Sequence, residues 1–90
     1  EDKYGLLMIP SYIQNIGLFQ VKYGWWQEAD LDLINYSTDR LIDFTNDPLY
    51  YQSDLRIDLN FPGIGNGRLN RSKVLPIIEK LPDSVHIWEK

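Results

Sequence analysis

Two short runs rich in apolar residues lie near the start of the chain, and each run predicts a β-strand. Residues 5–9 form an apolar run that Pro10 ends, and residues 16–22 form the second run. In the second run Gln20 and Lys22 occupy polar positions that alternate with apolar ones. The segment between the runs contains proline, serine and asparagine, which are typical of turns, so a hairpin-like connection is predicted.

Apolar residues at helical spacing predict a helix over residues 30–44. Its apolar stripe consists of Leu31, Ile34, Leu41 and Phe44. Glu28, Asp30 and Asp32 lie at its start, where the helix macrodipole stabilises negative charge. This position explains the three carboxylates better than a cation site does.

The second half of the chain predicts a strand, a helix and a final strand. Residues 55–61 alternate between apolar and polar positions at a period of two, as a strand does. The apolar positions of the following helix are Val74, Ile77, Ile78 and Leu81. Pro76 fits only the first turn of a helix, so the regular helix is predicted to start near Ser72 or Lys73, or later. Residues 85–88 predict the last strand.

The resulting order is β-β-α-β-α-β, which predicts an α/β fold with a mostly parallel sheet, since strands that alternate with helices are joined by crossovers. A chain of 90 residues is predicted to form one small domain over residues 1–90. In such sheets ligands bind at the carboxyl ends of strands, where the loops enter helices. Residues 61–67, with the sequence FPGIGNG, occupy that position.

Composition excludes several kinds of site. The chain has no cysteine and one histidine, which excludes disulfides and thiolate or multi-histidine zinc sites, so no metal or cofactor is expected. Its net charge of −4 opposes broad electrostatic capture of nucleic acid. No apolar run approaches the roughly 20 residues that span a bilayer and no signal peptide is visible, which predicts a cytoplasmic protein. The first residue is not methionine, so we expect an upstream segment to have been removed.

Three glycines lie within residues 63–67, the segment here called the glycine loop. Glycine permits positive φ and close approach, so successive amides can converge on a phosphate while the next helix adds its positive end. Arg68 can add a charge-assisted hydrogen bond. The spacing fits neither the P-loop nor the GxGxxG fingerprint. The glycines are equally consistent with a sharp turn that needs them for geometry alone.

Residues 57–88, with FPGIGNGRL followed by VLPIIEKLPDSVHIW, resemble the carboxyl-terminal half of macrodomains, the α/β modules that bind ADP-ribose. The stretch GLFQVKYGWWQEADLDLINYSTDRL resembles the strand–Lys–x–x–Trp–helix segment of one macrodomain branch. That branch includes terminal ADP-ribose glycohydrolases and the antitoxin macrodomains that reverse DNA ADP-ribosylation. The resemblance covers residues 16–88 and implies a partial three-layer macrodomain-like fold.

The resemblance also implies the roles of individual residues. The segment that would wrap the diphosphate and the distal ribose consists of Pro62, Gly63, Ile64, Gly65, Asn66 and Gly67. Lys22 matches the lysine that attacks or stabilises the ribose in glycohydrolase-like members, which a neutral lysine could do as a nucleophile. Arg68 and Asn70 are candidate ligand contacts. Trp25 matches the family's tryptophan, which packs the loop or contacts the ligand, and at least one of Trp25 and Trp26 is expected in the core.

Two departures from the macrodomain pattern leave alternatives open. Macrodomains are longer, and their amino-terminal part supplies the adenine pocket, so we expect a missing amino-terminal segment or a second chain to complete the site. Where some members carry a catalytic aspartate, this chain has Arg68 and Asn70, and Asn70 cannot act as a base. The partner predicted is ADP-ribose or an ADP-ribosylated substrate. The alternative is a non-catalytic interaction or assembly module that kept the fold.

Overall fold

The computed structural model describes residues 3–9, 16–48, 57–64 and 68–89. Its elements, in chain order, are β1 (Leu6–Ile9), β2 (Ile16–Phe19), α1 (Leu31–Thr45), β3 (Ile57–Asn60), α2 (Arg71–Ile78) and β4 (Val85–Trp88). Among the described residues the elements follow the predicted order β-β-α-β-α-β. The predicted connection between β1 and β2, the linker with Tyr50 and Tyr51, and Gly65, Asn66 and Gly67 of the glycine loop lie outside the described residues.

The strands form two separate pairs, so the prediction of a mostly parallel sheet is wrong. β1 is antiparallel to β2, with Leu7 opposite Leu18, and β3 is parallel to β4, with Ile57 opposite Val85. In the part of the chain that the structure describes, no ladder joins the two pairs. The six residues between β1 and β2 are too few for the crossover that a parallel pair needs, and these strands pair antiparallel, whereas β3 and β4 are joined through α2 and pair in parallel. β2 and β3 are joined through α1, yet they form no ladder with each other among the described residues, which the predicted crossover did not anticipate.

Helix α1 begins one residue after Asp30, whose side chain accepts a hydrogen bond from the Leu33 amide at 3.0 Å. This is an N-cap, and it confirms the helical explanation of that carboxylate. The buried face of α1 consists of Leu33, Ile34, Ser37, Thr38, Leu41 and Thr45. Three of these residues carry hydroxyls, so the face is broader and more polar than the predicted apolar stripe, and Leu31 and Phe44 lie only half-buried at its margins.

Helix α2 starts earlier than Pro76 predicts. Asn70 caps its amino terminus by accepting hydrogen bonds from the Ser72 amide at 3.0 Å and the Ser72 hydroxyl at 2.8 Å. The helix therefore begins at Arg71, and Pro76 lies in its second turn. Proline leaves the carbonyl four residues earlier without its helical donor, but that carbonyl belongs to Ser72, an exposed residue that water can reach.

A buried cluster joins the helices and the connections that precede them. Its members are Ala29, Ile34, Phe61, Val74 and Ile78. Lys80 adds a polar tie between the helices, since its Nζ donates to Asn35 Oδ1 at 2.5 Å and to Asp39 Oδ1 at 3.0 Å. Because Ala29 and Phe61 belong to the same cluster, both strand-to-helix connections are fixed against the core.

Gln20 is buried, although the alternation of β2 predicts a polar-face position for it. Its Oε1 accepts hydrogen bonds from the amides of Tyr4 at 2.8 Å and Gly5 at 2.9 Å. Its carbonyl accepts from the Ser37 hydroxyl at 2.6 Å. Sequence alternation cannot show this, because the partners come from a distant turn of α1 and from the segment before β1. Gln20 thus fixes the end of β2, two residues before Lys22.

One face of the β3–β4 pair is exposed. Asp58 and Asn60 of β3 and His86 and Trp88 of β4 all lie at the surface, and Trp88 Nε1 donates to Asp58 Oδ1 at 2.9 Å. Among the described residues no element covers this face, so the implied third layer is not observed there. No helix in the described ranges is long and apolar enough to cross a membrane.

The hydroxyl of Thr38 gives a stability prediction. Thr38 is fully buried, and its Oγ1 has no hydrogen-bond partner among the described residues. A buried hydroxyl without a partner costs about 1–3 kcal/mol, so Thr38→Val should raise the free energy of unfolding by about 1 kcal/mol. Urea denaturation measures the change. Ser37→Ala is the matched control and should lower stability, because it removes the bond to the Gln20 carbonyl.

Candidate functional site

The two strand-to-helix connections meet at Gly63. A Cβ built on Gly63 would lie 2.7 Å from Ile34 Cδ1 and 3.5 Å from Ala29 Cβ. Ala29 lies near the end of the first connection, residues 20–30, and Ile34 lies in the first turn of α1. Gly63 belongs to the second connection, residues 61–70. The two segments that the sequence singles out for chemistry are therefore neighbours in space.

Packing accounts for the glycine at position 63. Its φ is +81°, and the absent Cβ would also come within 2.9 Å of Leu69 Cδ1. The Leu69 amide donates to the Gly63 carbonyl at 2.9 Å, which closes the segment between them. At this position the turn explanation applies, because an L side chain would be both strained and overpacked.

Of the residues predicted to contact the diphosphate, the structure describes Pro62, Gly63 and Ile64, which begin the loop. Pro62 and Gly63 are buried, and Ile64 packs against the core cluster. Gly65, Asn66 and Gly67 lie outside the described residues, so their amide contacts with a diphosphate stay predictions. Leu69 packs on the core from the other end of the segment. Both ends of the loop are thus anchored on the core.

Arg68 and Asn70 follow the glycine loop and differ in their surroundings. Arg68 is exposed and is the non-glycine residue that the structure gives a positive φ, +64°. A long side chain rarely adopts this conformation, and such outliers occur most often at functional sites. Asn70 is committed to capping α2 through its side-chain oxygen. Its predicted ligand contact would have to come from its amide nitrogen.

The first connection holds Lys22 and places two tryptophans at the surface. Lys22 is half-buried, and its Nζ donates to the Trp25 carbonyl at 3.3 Å. Trp25 is 84% exposed and Trp26 is 62% exposed. The expectation that one of them belongs to the core is therefore wrong. The local turn gives the reason, because the Trp26 ring lies against Gly24, two residues earlier in the chain, and not against the core.

Basic residues at the start of α2 complete the site, and the sequence predictions missed two of them. Arg68, Arg71 and Lys73 lie within six residues at this helix terminus, whose first turn has no acidic residue. Arg71 donates through Nε to the Glu89 carboxylate at 2.8 Å, and its guanidinium lies 5.2 Å from the centre of the Phe61 ring. Arg71 and Lys73 could have been found from the sequence, because two basic residues and no acidic residue lie in the first turn of this helix.

The arrangement is suited to holding an anion. Backbone amides at a helix amino terminus and exposed cations are the groups that bind phosphates.

In the described ranges no group of three or more histidine, aspartate or glutamate side chains could hold a metal ion. No family model, no curated protein and no solved structure matches this chain.

Proposed function

We propose that the protein binds ADP-ribose, or a related diphosphate nucleotide, with the diphosphate over the glycine loop and the amino terminus of α2. The observation that carries this proposal is the charge of that terminus. Cations are disfavoured at the positive end of a helix, yet Arg68, Arg71 and Lys73 gather there in a chain of net charge −4. Arg71 is paired with Glu89, and a bound anion compensates the helix end together with Arg68 and Lys73.

Helix α1 supplies the internal comparison. Its amino terminus carries Asp30 as the cap and Asp32 in the first turn, as the macrodipole favours. The amino terminus of α2 has the opposite charge pattern within the same small fold. The ion pair with Glu89 gives Arg71 a stabilising role of its own, whereas Arg68 and Lys73 have no ion pair among the described residues, and binding of a phosphate group accounts for these two.

The proposal includes a partial macrodomain-like fold and a hydrolytic step at Lys22. Gln20 fixes the end of β2, and Ala29 fixes the end of the same connection beside Gly63. Lys22 therefore projects from a segment that borders the glycine loop. In this proposal its neutral amine bonds to the ribose carbon that bears the ADP-ribosyl linkage while the bond from that carbon to the substrate breaks, and water then displaces the lysine and releases ADP-ribose. In the alternative role, the charged amine stabilises the departing substrate group. A lysine variant, argued in the Discussion, separates the hydrolytic step from binding.

ADP-ribose should raise the melting temperature of the protein. A ligand that binds only the native state stabilises it by about 2.7 kcal/mol at a hundredfold excess over Kd, roughly 10 °C or more for a chain of this size. Differential scanning fluorimetry measures the shift. Adenosine, which lacks the diphosphate, is the control ligand and should shift it far less. No shift with millimolar ADP-ribose contradicts the proposal.

Arg68→Gly tests the proposed phosphate contact without harming the fold. Glycine adopts the positive φ of position 68 without strain, so stability should stay unchanged or rise. The loss of a charge-assisted hydrogen bond should weaken ADP-ribose binding about tenfold, measured by isothermal titration calorimetry. Arg40→Gln, which removes an exposed cation from α1, is the matched control and should leave the affinity unchanged. Equal affinities for all three proteins would exclude Arg68 from the site.

The second candidate is a non-catalytic interaction or assembly module. The observation that favours it is a set of large apolar side chains at the surface of three strands, namely Leu7, Leu18, Ile87 and Trp88. Leu7 and Leu18 are directly opposite each other on β1 and β2. A sedimentation coefficient that rises with concentration, together with no response to ADP-ribose, would favour this function over the first.

A further inference from the structure

Trp25 and Trp26, here called the tryptophan patch, form an exposed aromatic surface on the connection between β2 and α1. Their ring centroids are 6.0 Å apart, and the ring planes are nearly perpendicular, at 89°. Large exposed aromatic surfaces are uncommon on isolated proteins and usually mark interaction sites. Trp25 is a candidate ligand contact of the proposed ADP-ribose site, but that site gives no role to Trp26, so the exposed pair needs an explanation of its own.

The backbone that carries the patch is held in place by several hydrogen bonds. The Gly24 amide donates to Gln27 Oε1 at 3.0 Å, and the Gln27 amide donates to the Gly24 carbonyl at 3.0 Å. The Asp30 amide donates to the Val21 carbonyl at 2.8 Å, which closes the whole connection. A braced loop presents its side chains at low entropic cost, which favours binding.

Charge decides which chemistry the patch suits. Glu28, Asp30 and Asp32 follow it within six residues of Trp26, and all three are exposed. Asp30 caps α1 and Asp32 lies in its first turn, where the positive helix end offsets part of their charge, so Glu28, two residues after Trp26, is the carboxylate that lies outside the helix. The cation of the same connection, Lys22, donates to the Trp25 carbonyl. A phosphate backbone would meet these carboxylates unfavourably, whereas a cation would be attracted both by them and by the faces of the indole rings.

We propose that the tryptophan patch binds a basic polypeptide segment. An arginine or lysine side chain of that segment lies over an indole face, and the neighbouring carboxylates hold further positive charge. This inference goes beyond ADP-ribose binding and stands without it. Where both hold, the anion site at α2 and the basic-segment site at α1 have opposite charges, so one modified basic polypeptide can occupy both.

The test titrates a short arginine-rich peptide into the whole protein by isothermal titration calorimetry. A peptide of the same sequence with glutamine in place of arginine is the ligand control. The arginine peptide should bind at least about tenfold more tightly, and its affinity should fall as salt is raised. Equal affinity for the two peptides, or no binding of either, overturns the proposal.

Two variants locate the binding on the patch. Trp25→Ala removes a side chain that makes little contact with the fold and should weaken binding of the arginine peptide about fivefold. Trp88→Ala removes a tryptophan of β4 that is 55% exposed. This variant is the matched control and should leave the affinity for the arginine peptide unchanged. Glu28→Gln should weaken binding as well, whereas Glu79→Gln, at the residue that follows the last turn of α2, should not. Unchanged binding in Trp25→Ala overturns the proposal.

Oligothymidylate is the competing probe, since an exposed indole can also stack on a nucleobase. Binding of this probe that Trp25→Ala abolishes, without binding of the arginine peptide, would assign the patch to nucleic acid and overturn the proposal. The ADP-ribose melting shift is measured separately. Its failure would remove the proposed function and leave the peptide result standing, so the two inferences fail independently.

Discussion

Gly63→Ala is expected to lower the free energy of unfolding by about 2–4 kcal/mol, since a left-handed conformation costs alanine about 1–2 kcal/mol and overpacking adds about 1–3 kcal/mol. The new methyl would lie 2.7 Å from Ile34 Cδ1 and 2.9 Å from Leu69 Cδ1. Ile34 is fully buried, so its side chain cannot swing aside. Thermal unfolding should show a fall of roughly 10–20 °C.

Two further variants separate the causes of this loss. Ile34→Val removes the Cδ1 methyl that the new Cβ would meet, so Gly63→Ala combined with Ile34→Val should lose less than the sum of the single variants. Gly24→Ala is the matched control. Its Cβ would approach the Trp26 ring, but that ring is exposed and can move, so the cost should stay below about 1 kcal/mol. A loss for Gly63→Ala no larger than for Gly24→Ala would contradict the packing argument.

Lys22→Ala is expected to reduce hydrolysis of an ADP-ribosyl linkage by a factor of at least about 100, while the affinity for free ADP-ribose changes little. The reason is that the proposal gives Lys22 a role at the reacting carbon and gives diphosphate binding to the glycine loop and α2. Release of ADP-ribose from a modified substrate measures turnover, and calorimetry with free ADP-ribose measures binding.

Lys22→Arg distinguishes two roles of the lysine. Arginine keeps the positive charge but stays protonated and is a poor nucleophile, so it restores activity only where the charge stabilises the transition state. Lys80→Ala, which removes a lysine that bonds to Asn35 and Asp39 and has no role in the proposed site, is the control for nonspecific loss. A Lys22→Ala protein that loses binding and turnover together would identify Lys22 as a structural residue that holds the Trp25 carbonyl.

Local chemistry allowed several elements to be predicted from the sequence. Asp30 was placed at the start of α1 because carboxylates are stabilised there, and it caps that helix. The last strand lies at Val85–Trp88, as the apolar run predicts. These features depend on a few neighbouring residues, so they can be recognised without any tertiary contact. The approach of the first connection to Gly63 was not predicted, because it depends on contacts between segments far apart in the chain.

Other features depended on contacts between distant segments. Gln20 directly follows β2, at a position that the alternating run predicts to be polar, yet it is buried because Tyr4, Gly5 and Ser37 supply partners for its polar groups. Trp26 has a large apolar side chain of the kind found in protein cores, yet its ring packs on Gly24 and stays exposed. Residue type alone cannot distinguish these outcomes, because both depend on which segments the fold brings together.

The sequence by itself determined the order of the elements, the capping of α1 and the position of the glycine loop before α2. Periodicity and capping act within one turn of helix or one strand, so the local sequence is sufficient for them. The tertiary structure alone decided the pairing of the strands into two separate ladders and the steric need for glycine at position 63. Both result from contacts between residues far apart in the chain, and these contacts form only when the connections between the elements close.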